Sequence, residues 1–132
     1  MLSTDEIQEF KESDLEDIIM RKPNLLEENL TFVRRQHEIL PSSRIDLLFT
    51  DENGDYVVVE LKLGSVGREA SNQIRRYIHE IRASERKRVR GIIVCKDVFP
   101  AFRDLYKKLT DVKVHYYGWK PDVQLFRLNE AD

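Results

Sequence analysis

The 132-residue sequence is poor in the features that usually assign a protein quickly. A single cysteine, Cys95, excludes a disulfide framework and fits a reducing compartment. It stands in the apolar run Ile92-Ile93-Val94-Cys95, where a buried structural thiol is expected in place of a nucleophile. No stretch approaches about 18 consecutive apolar residues, the length a spanning helix needs, so no membrane partner is expected. The opening Met1-Leu2-Ser3-Thr4-Asp5-Glu6 is acidic and lacks the basic-then-apolar layout of a signal peptide. Together with the lone thiol this sets the expectation of a cytoplasmic protein. Internal repeats, low-complexity tracts and linkers rich in Pro, Gly or Ser are also missing, so residues 1–132 read as a single domain. Nor is there a glycine-rich phosphate loop, a Ser-His-Asp set or a Cys-His pair.

What is present suits a folded domain with a real core, since 41% of residues are apolar and 35% charged. The net charge is only −2, but it is unevenly spread. Residues 1–30 carry nine acids against three bases, whereas residues 68–90 carry eight bases against three acids. Arg68, Arg75, Arg76 and Arg82 belong to that second stretch. A local basic stripe can supply an electrostatic footprint for phosphates, although a solvated helix face is its commoner use.

Apolar spacing predicts a helix over 5–21, ended by Pro23 or followed by a short turn at Pro23-Asn24-Leu25-Leu26. Strands are predicted at 29–39, Arg44–Phe49 and Tyr56–Leu63, the last two joined by the turn cluster Asp51-Glu52-Asn53-Gly54. A helix over about 67–83 presents Ala70, Gln73, Ile74, Tyr77, Ile78 and Ile81 on one face. Val89–Cys95 reads as a strand covered on both sides, and Pro100 opens a helix to about Leu109. Two strands, Val112–Trp119 and Val123–Leu128, close the chain around Lys120-Pro121-Asp122. The order α-β-β-β-α-β, then α and a C-terminal β-hairpin, predicts an α/β fold with helices flanking a central mixed sheet.

Chemistry is concentrated in Val57-Val58-Val59-Glu60-Leu61-Lys62. Side chains alternate along a strand, so Glu60 and Lys62 share a face with Val58. Two charges on a buried strand cost several kcal/mol each in desolvation, roughly, unless paired or metal-bound. A structural ion pair at the strand end is the plain alternative. In the preceding strand Asp46 interrupts Arg44-Ile45-Asp46-Leu47-Leu48-Phe49. If Glu52-Asn53-Gly54 form a three-residue loop with Gly54 left-handed, Asp51 pairs with Asp55 and Asp46 falls opposite Glu60. A two-residue Asn53-Gly54 loop would set Asp46 against Leu61 and separate the carboxylates. Two close carboxylates share a cation, and oxygen ligands without histidine or thiolate favour Mg²⁺ or Mn²⁺ over zinc. Such ions polarise phosphates and ease ionisation of water, with Lys62 placed to orient that water or stabilise the phosphorane. Gln73 and Tyr77, one turn apart on the next helix, join the same side. Glu16, in Leu15-Glu16-Asp17-Ile18-Ile19, could reach the metal from the first helix.

Asp46, then Glu60-Leu61-Lys62, then Gln73 and Tyr77 resembles the PD-(D/E)xK nuclease superfamily, in its RecB-like branch with a Gln-x-x-x-Tyr helix. Over about residues 12–97 the chain is similar to the catalytic domain of the NucS/EndoMS mismatch endonucleases, with a restriction-endonuclease-like core. The segments that carry the likeness are Asp14–Ile19, Arg44–Leu48 and Val57–Lys62 with the helix after it. The resemblance implies a Mg²⁺- or Mn²⁺-dependent endonuclease acting on DNA in repair. It implies Glu16, Asp46, Glu60 and the Leu61 carbonyl as metal ligands, Lys62 as the catalytic lysine, and Gln73 and Tyr77 as organisers of site and DNA. Arg44, Arg68, Arg75, Arg76 and Arg82 are the expected DNA contacts. Ser43 stands where the family usually has Gly. The family's N-terminal dimerisation and DNA-binding domain has no counterpart in the chain, so a homodimer and a separate DNA-binding partner are both expectations. A non-catalytic nucleic-acid-binding or interaction domain that keeps the nuclease fold is the alternative.

Overall fold

The computed structural model describes residues 10–40, 43–118 and 127–130. The start of the helix expected over 5–21 (residues 5–9), Trp119, the Lys120-Pro121-Asp122 connection and residues 123–126 lie outside these. Helix α1 (Glu12–Arg21) begins where the Asp14 carboxylate accepts the Lys11 backbone N–H at 2.8 Å, and its Leu15 and Ile19, one turn apart, are fully buried. Pro23 ends it, and residues Pro23–Leu25 form a single 3₁₀ turn. Strands β1 (Thr31–Leu40), β2 (Ser43–Thr50) and β3 (Tyr56–Leu61) run antiparallel in series.

Gly54, at φ 80°, makes the β2–β3 turn, and the Asp51 N–H donates to the Asp55 carbonyl at 2.9 Å. This is the three-residue loop, and it fixes the pairs Leu47–Val59, Leu48–Val58, Phe49–Val57 and Thr50–Tyr56. The chain then crosses over through β4 (Ser65–Val66) and α2 (Arg68–Glu85) to β5 (Val89–Cys95), parallel to β3. After β6 (Asp97–Val98), a 3₁₀ turn at Pro100–Phe102 leads into the short helix α3 (Arg103–Lys107). Strand β7 (Val112–Gly118) is parallel to β5, and β8 (Arg127–Glu130) pairs antiparallel with it. The main sheet has the order β1-β2-β3-β5-β7-β8, while β4 and β6 form a separate two-stranded parallel sheet.

Two expectations shift. The helix after Pro100 is a 3₁₀ turn plus five α residues, because Phe102 leaves helical geometry at φ −113° and ψ 4°. The first helix, predicted over 5–21, starts at Glu12 among the described residues. Of the last strand, expected over 123–128, Arg127 and Leu128 are described and lie in β8, pairing with Gly118 and Tyr117; 123–126 lie outside the described residues.

Alternation along β3 builds two cores. Val57, Val59 and Leu61 pack with Leu15, Ile19, Phe49, Ile92 and Val94 beneath α1. Val58 packs with Ile74, Tyr77, Ile78, Ile81 and Ile93 beneath α2. Gly91 makes the second fit possible, because a Cβ there would lie 2.7 Å from Ile74 Cδ1. A bidentate ion pair fastens the opposite end of the sheet: Arg90 donates to Glu27 at 2.7 and 2.6 Å and lies 3.4 Å from Asp51. No helix among the described residues is long and apolar enough to cross a membrane.

Candidate active site

Glu60 and Lys62 occupy the C-terminal end of β3, where apolar alternation ends. By that alternation both lie on the α2 side with Val58. Glu60 is 3% exposed, and its Oε1 has no hydrogen-bond partner. Burial, and after it the charge of Asp46, pushes the Glu60 carboxyl up to about 9. Lys62 is half-buried and its charge opposes that rise; its backbone N–H donates to Val94 O at 2.8 Å and anchors the strand end.

Asp46 lies one step beyond the Leu47–Val59 pair, so the hairpin register carries it across from Glu60. Its Oδ2 accepts the Leu61 N–H at 2.8 Å, a side chain completing the ladder where the backbone leaves it. Burial raises its pKa, and the charges of Glu16 and Glu12 add to the rise, against the Leu61 N–H and Lys62. Two neighbouring buried carboxyls with raised pKa values mark a functional-site candidate that favours an added positive charge, and the Lys62 charge only partly offsets this.

Glu16 comes from the other side, on α1, and is 4% exposed. Its Oε1 accepts from Arg35 Nε and from Gln36 Nε2, both at 2.9 Å, and Arg35 also reaches Asp17 at 2.7 Å. Among the described residues no three Asp, Glu, His or Cys side chains gather closely enough to hold an ion by themselves. The structure thus brings Asp46, Glu60 and Lys62 together and holds Glu16 nearby on a different pair of partners. Arg35 and Gln36 were not singled out by the sequence; their only signal is a charged and amide pair in a strand facing an acidic helix.

On α2, Gln73 Nε2 donates to Tyr77 OH at 2.8 Å, and Tyr77 is buried against the β3 face. The arginines separate by role. Arg44 and Arg75 are exposed, Arg68 lies over the Phe102 ring at 5.6 Å, and Arg76 over Tyr77 at 5.9 Å. Arg82 is committed to the fold, donating to Val89 O at 2.7 Å and pairing with Asp111 at 3.2 Å. Cys95 is buried with its thiol pushed up to about 12 by burial, consistent with an inert core position.

An α/β domain with an acid on one hairpin strand and Glu-x-Lys on the next, against a Gln-x-x-x-Tyr helix, is a nuclease-type domain of the PD-(D/E)xK class. The chain belongs to the family described as the Endonuclease NucS C-terminal domain, whose model matches residues 11–119. It is 33% identical to Endonuclease NucS of Methanopyrus kandleri over 130 residues, covering 92% of this chain and 50% of that protein. It is 30% identical to Endonuclease NucS of Pyrococcus furiosus over 98 residues, covering 74% of this chain and 36% of that one. Among solved structures, a repair endonuclease from Pyrococcus abyssi superposes with a TM-score of 0.70 at 25% identity, over 83% of this chain and 47% of that chain. An EndoMS–dsDNA complex superposes with a TM-score of 0.74 at 21% identity, over 94% of this chain and 51% of that chain. The chain therefore spans about half or less of the length of these relatives.

Proposed function

We propose that this chain is the catalytic domain of a divalent-metal-dependent DNA endonuclease that hydrolyses phosphodiester bonds in a repair setting. The observation that carries the reading is the buried Asp46–Glu60 pair, in which each acid opposes ionisation of the other and Glu60 Oε1 is left without a partner. A buried carboxylate oxygen without a donor is costly by about 1–3 kcal/mol, and a hard cation removes that cost. Asp46, Glu60 and the Leu61 carbonyl are the groups that would hold Mg²⁺ or Mn²⁺, with Glu16 supporting from α1. When bound, the ion supplies positive charge to the scissile phosphate and eases ionisation of water.

The remaining roles belong to the chain. The Leu61 N–H fixes Asp46 Oδ2 and so orients the carboxylate with Oδ1 outside that bond. Lys62 sets a cation where negative charge develops on the phosphate oxygens during attack. Tyr77 OH accepts from Gln73, which ties the two α2 side chains together behind β3 and steadies the helix that flanks the site. Arg44, Arg68, Arg75 and Arg76 present charge for the backbone on either side of the cut, and Arg82 supports α2 and adds to the local field. The similarity to a repair endonuclease from Pyrococcus abyssi supports the repair setting, and we take double-stranded DNA as the substrate to test first, with mismatch or branch selectivity as its refinement.

One observation favours a second reading, a non-catalytic DNA-binding domain: among the described residues, three acids do not converge. Labelled single-stranded, duplex, mismatched and branched DNA incubated with Mg²⁺, Mn²⁺ or EDTA separates the two. Metal-dependent cutting that disappears in Lys62→Ala and Asp46→Ala, with the fold intact, is the expected result. Salt-sensitive binding without turnover on every substrate would establish the second reading instead.

A further inference from the structure

Gln36 has a backbone conformation that its place in the sheet does not require. Three non-glycine residues among those described have positive φ: Asn29, Gln36 and Arg86. Asn29 lies in the turn before β1, and Arg86 is the left-handed cap of α2, both common settings. Gln36, at φ 53°, lies inside β1, and the pairs on either side of it, Arg35–Leu47 and His37–Ile45, continue one register. No residue is inserted there, and Gln36 falls opposite Asp46.

In a regular strand Arg35 and Gln36 would point to opposite faces. The left-handed residue breaks that alternation, and both side chains converge on one atom, Glu16 Oε1, each at 2.9 Å. The partner strand is irregular at the same level: Ile45 packs in the α2-side core and Leu47, two residues on, in the α1-side core. The distortion therefore straddles Asp46 and delivers an amide to the buried acid of α1. Both donors take the same oxygen, so Oε2 stays outside the clamp. Glu16 is close enough for its charge to act on Asp46.

We propose that Gln36 is a positioning residue: its left-handed backbone exists to hold Glu16 by one oxygen beside Asp46, and so sets the divalent-cation affinity of the site. This rests on the reading of that site as a metal centre. Outer partners of metal ligands change affinity by about 10–100-fold when removed, which sets the size of effect to look for.

The test is calorimetric titration of the metal-free full chain with Mn²⁺, comparing the wild type with Gln36→Gly and Gln36→Asn, each with its Tm. Glycine adopts positive φ without strain, so Gln36→Gly keeps or raises Tm while removing the amide. Asparagine also tolerates the left-handed region and keeps an amide on a shorter stem. The expected result is about tenfold weaker Mn²⁺ binding in Gln36→Gly at undiminished Tm, with Gln36→Asn in between. Equal Mn²⁺ affinity in all three proteins overturns the positioning role and leaves the metal centre standing. A wild type that takes up no Mn²⁺ overturns the metal centre itself, and the positioning role with it. If Gln36→Gly does not fold, Gln36→Ala, which also removes the amide, takes its place, and wild-type Mn²⁺ affinity there overturns the proposal.

Discussion

Glu60 ties stability to pH in a direction opposite to that of most acids. Its ordinary pKa of 4.5 is raised to about 9 in the fold, chiefly by burial. Between those values the folded protein holds a proton that the unfolded chain has released, so stability falls as pH rises. Glu27 runs the other way. Arg90 holds its carboxyl below the ordinary value, so it contributes stability above pH 4.5 that is lost as pH falls through its folded value. Of these two groups, Glu60 makes stability fall as pH rises above 4.5 and Glu27 makes it fall as pH drops below 4.5. In EDTA at pH 8, Glu60→Gln should therefore be more stable than the wild type, by about 1–3 kcal/mol, as read by urea unfolding. Adding Mg²⁺ should raise the wild type and leave the variant unchanged; a destabilised Glu60→Gln in EDTA would contradict the account.

Two contacts between elements give further checks. The α2 helix comes close to β5 because position 91 has no side chain, and Ile74 and Ile78 fill the space. Gly91→Ala forces a methyl into a core without room, with an expected cost of about 1–3 kcal/mol in thermal or urea unfolding. Arg90→Ala leaves Glu27 beside Asp51 with Lys113, at 3.7 Å, to offset it and should cost about 1–2 kcal/mol, the low end because the pair is partly solvated. An acid-limb experiment separates this from packing loss, since Arg90→Ala should flatten the fall in stability below pH 4.5. These elements also show what a sequence can reveal. Gly54 after Asp51-Glu52-Asn53 fixes the hairpin register, and with it the meeting of Asp46 and Glu60, because turn chemistry and alternation are local rules. The Gln36 conformation leaves no such trace, since a glutamine in a strand gives no hint of positive φ. Phe102 likewise breaks the helix after Pro100 for tertiary reasons, as it packs against the core and under Arg68.

Across the molecule, the acid-rich α1 and the arginines of α2 flank the site, in line with the split of charges along the chain. If Arg75 and Arg76 neutralise DNA phosphates, their joint replacement by alanine should reduce the slope of log K against log salt by about 1.8, without abolishing cleavage at low salt. An unchanged slope would move the DNA footprint elsewhere. The small sheet of β4 and β6 was not foreseen, because two-residue strands carry no periodicity. It joins the segments that follow β3 and β5, with Lys96 N–H on Gly64 O at 3.1 Å and Phe99 N–H on Val66 O at 2.9 Å. Those segments leave the main sheet just past Lys62 and Cys95. Stitched together, they act as a brace: neither can lift away from the rim of the site without unzipping the other. The amides of Lys96 and Phe99 should therefore exchange with deuterium in a single cooperative opening, so that the border of the active site loosens as one piece or stays shut.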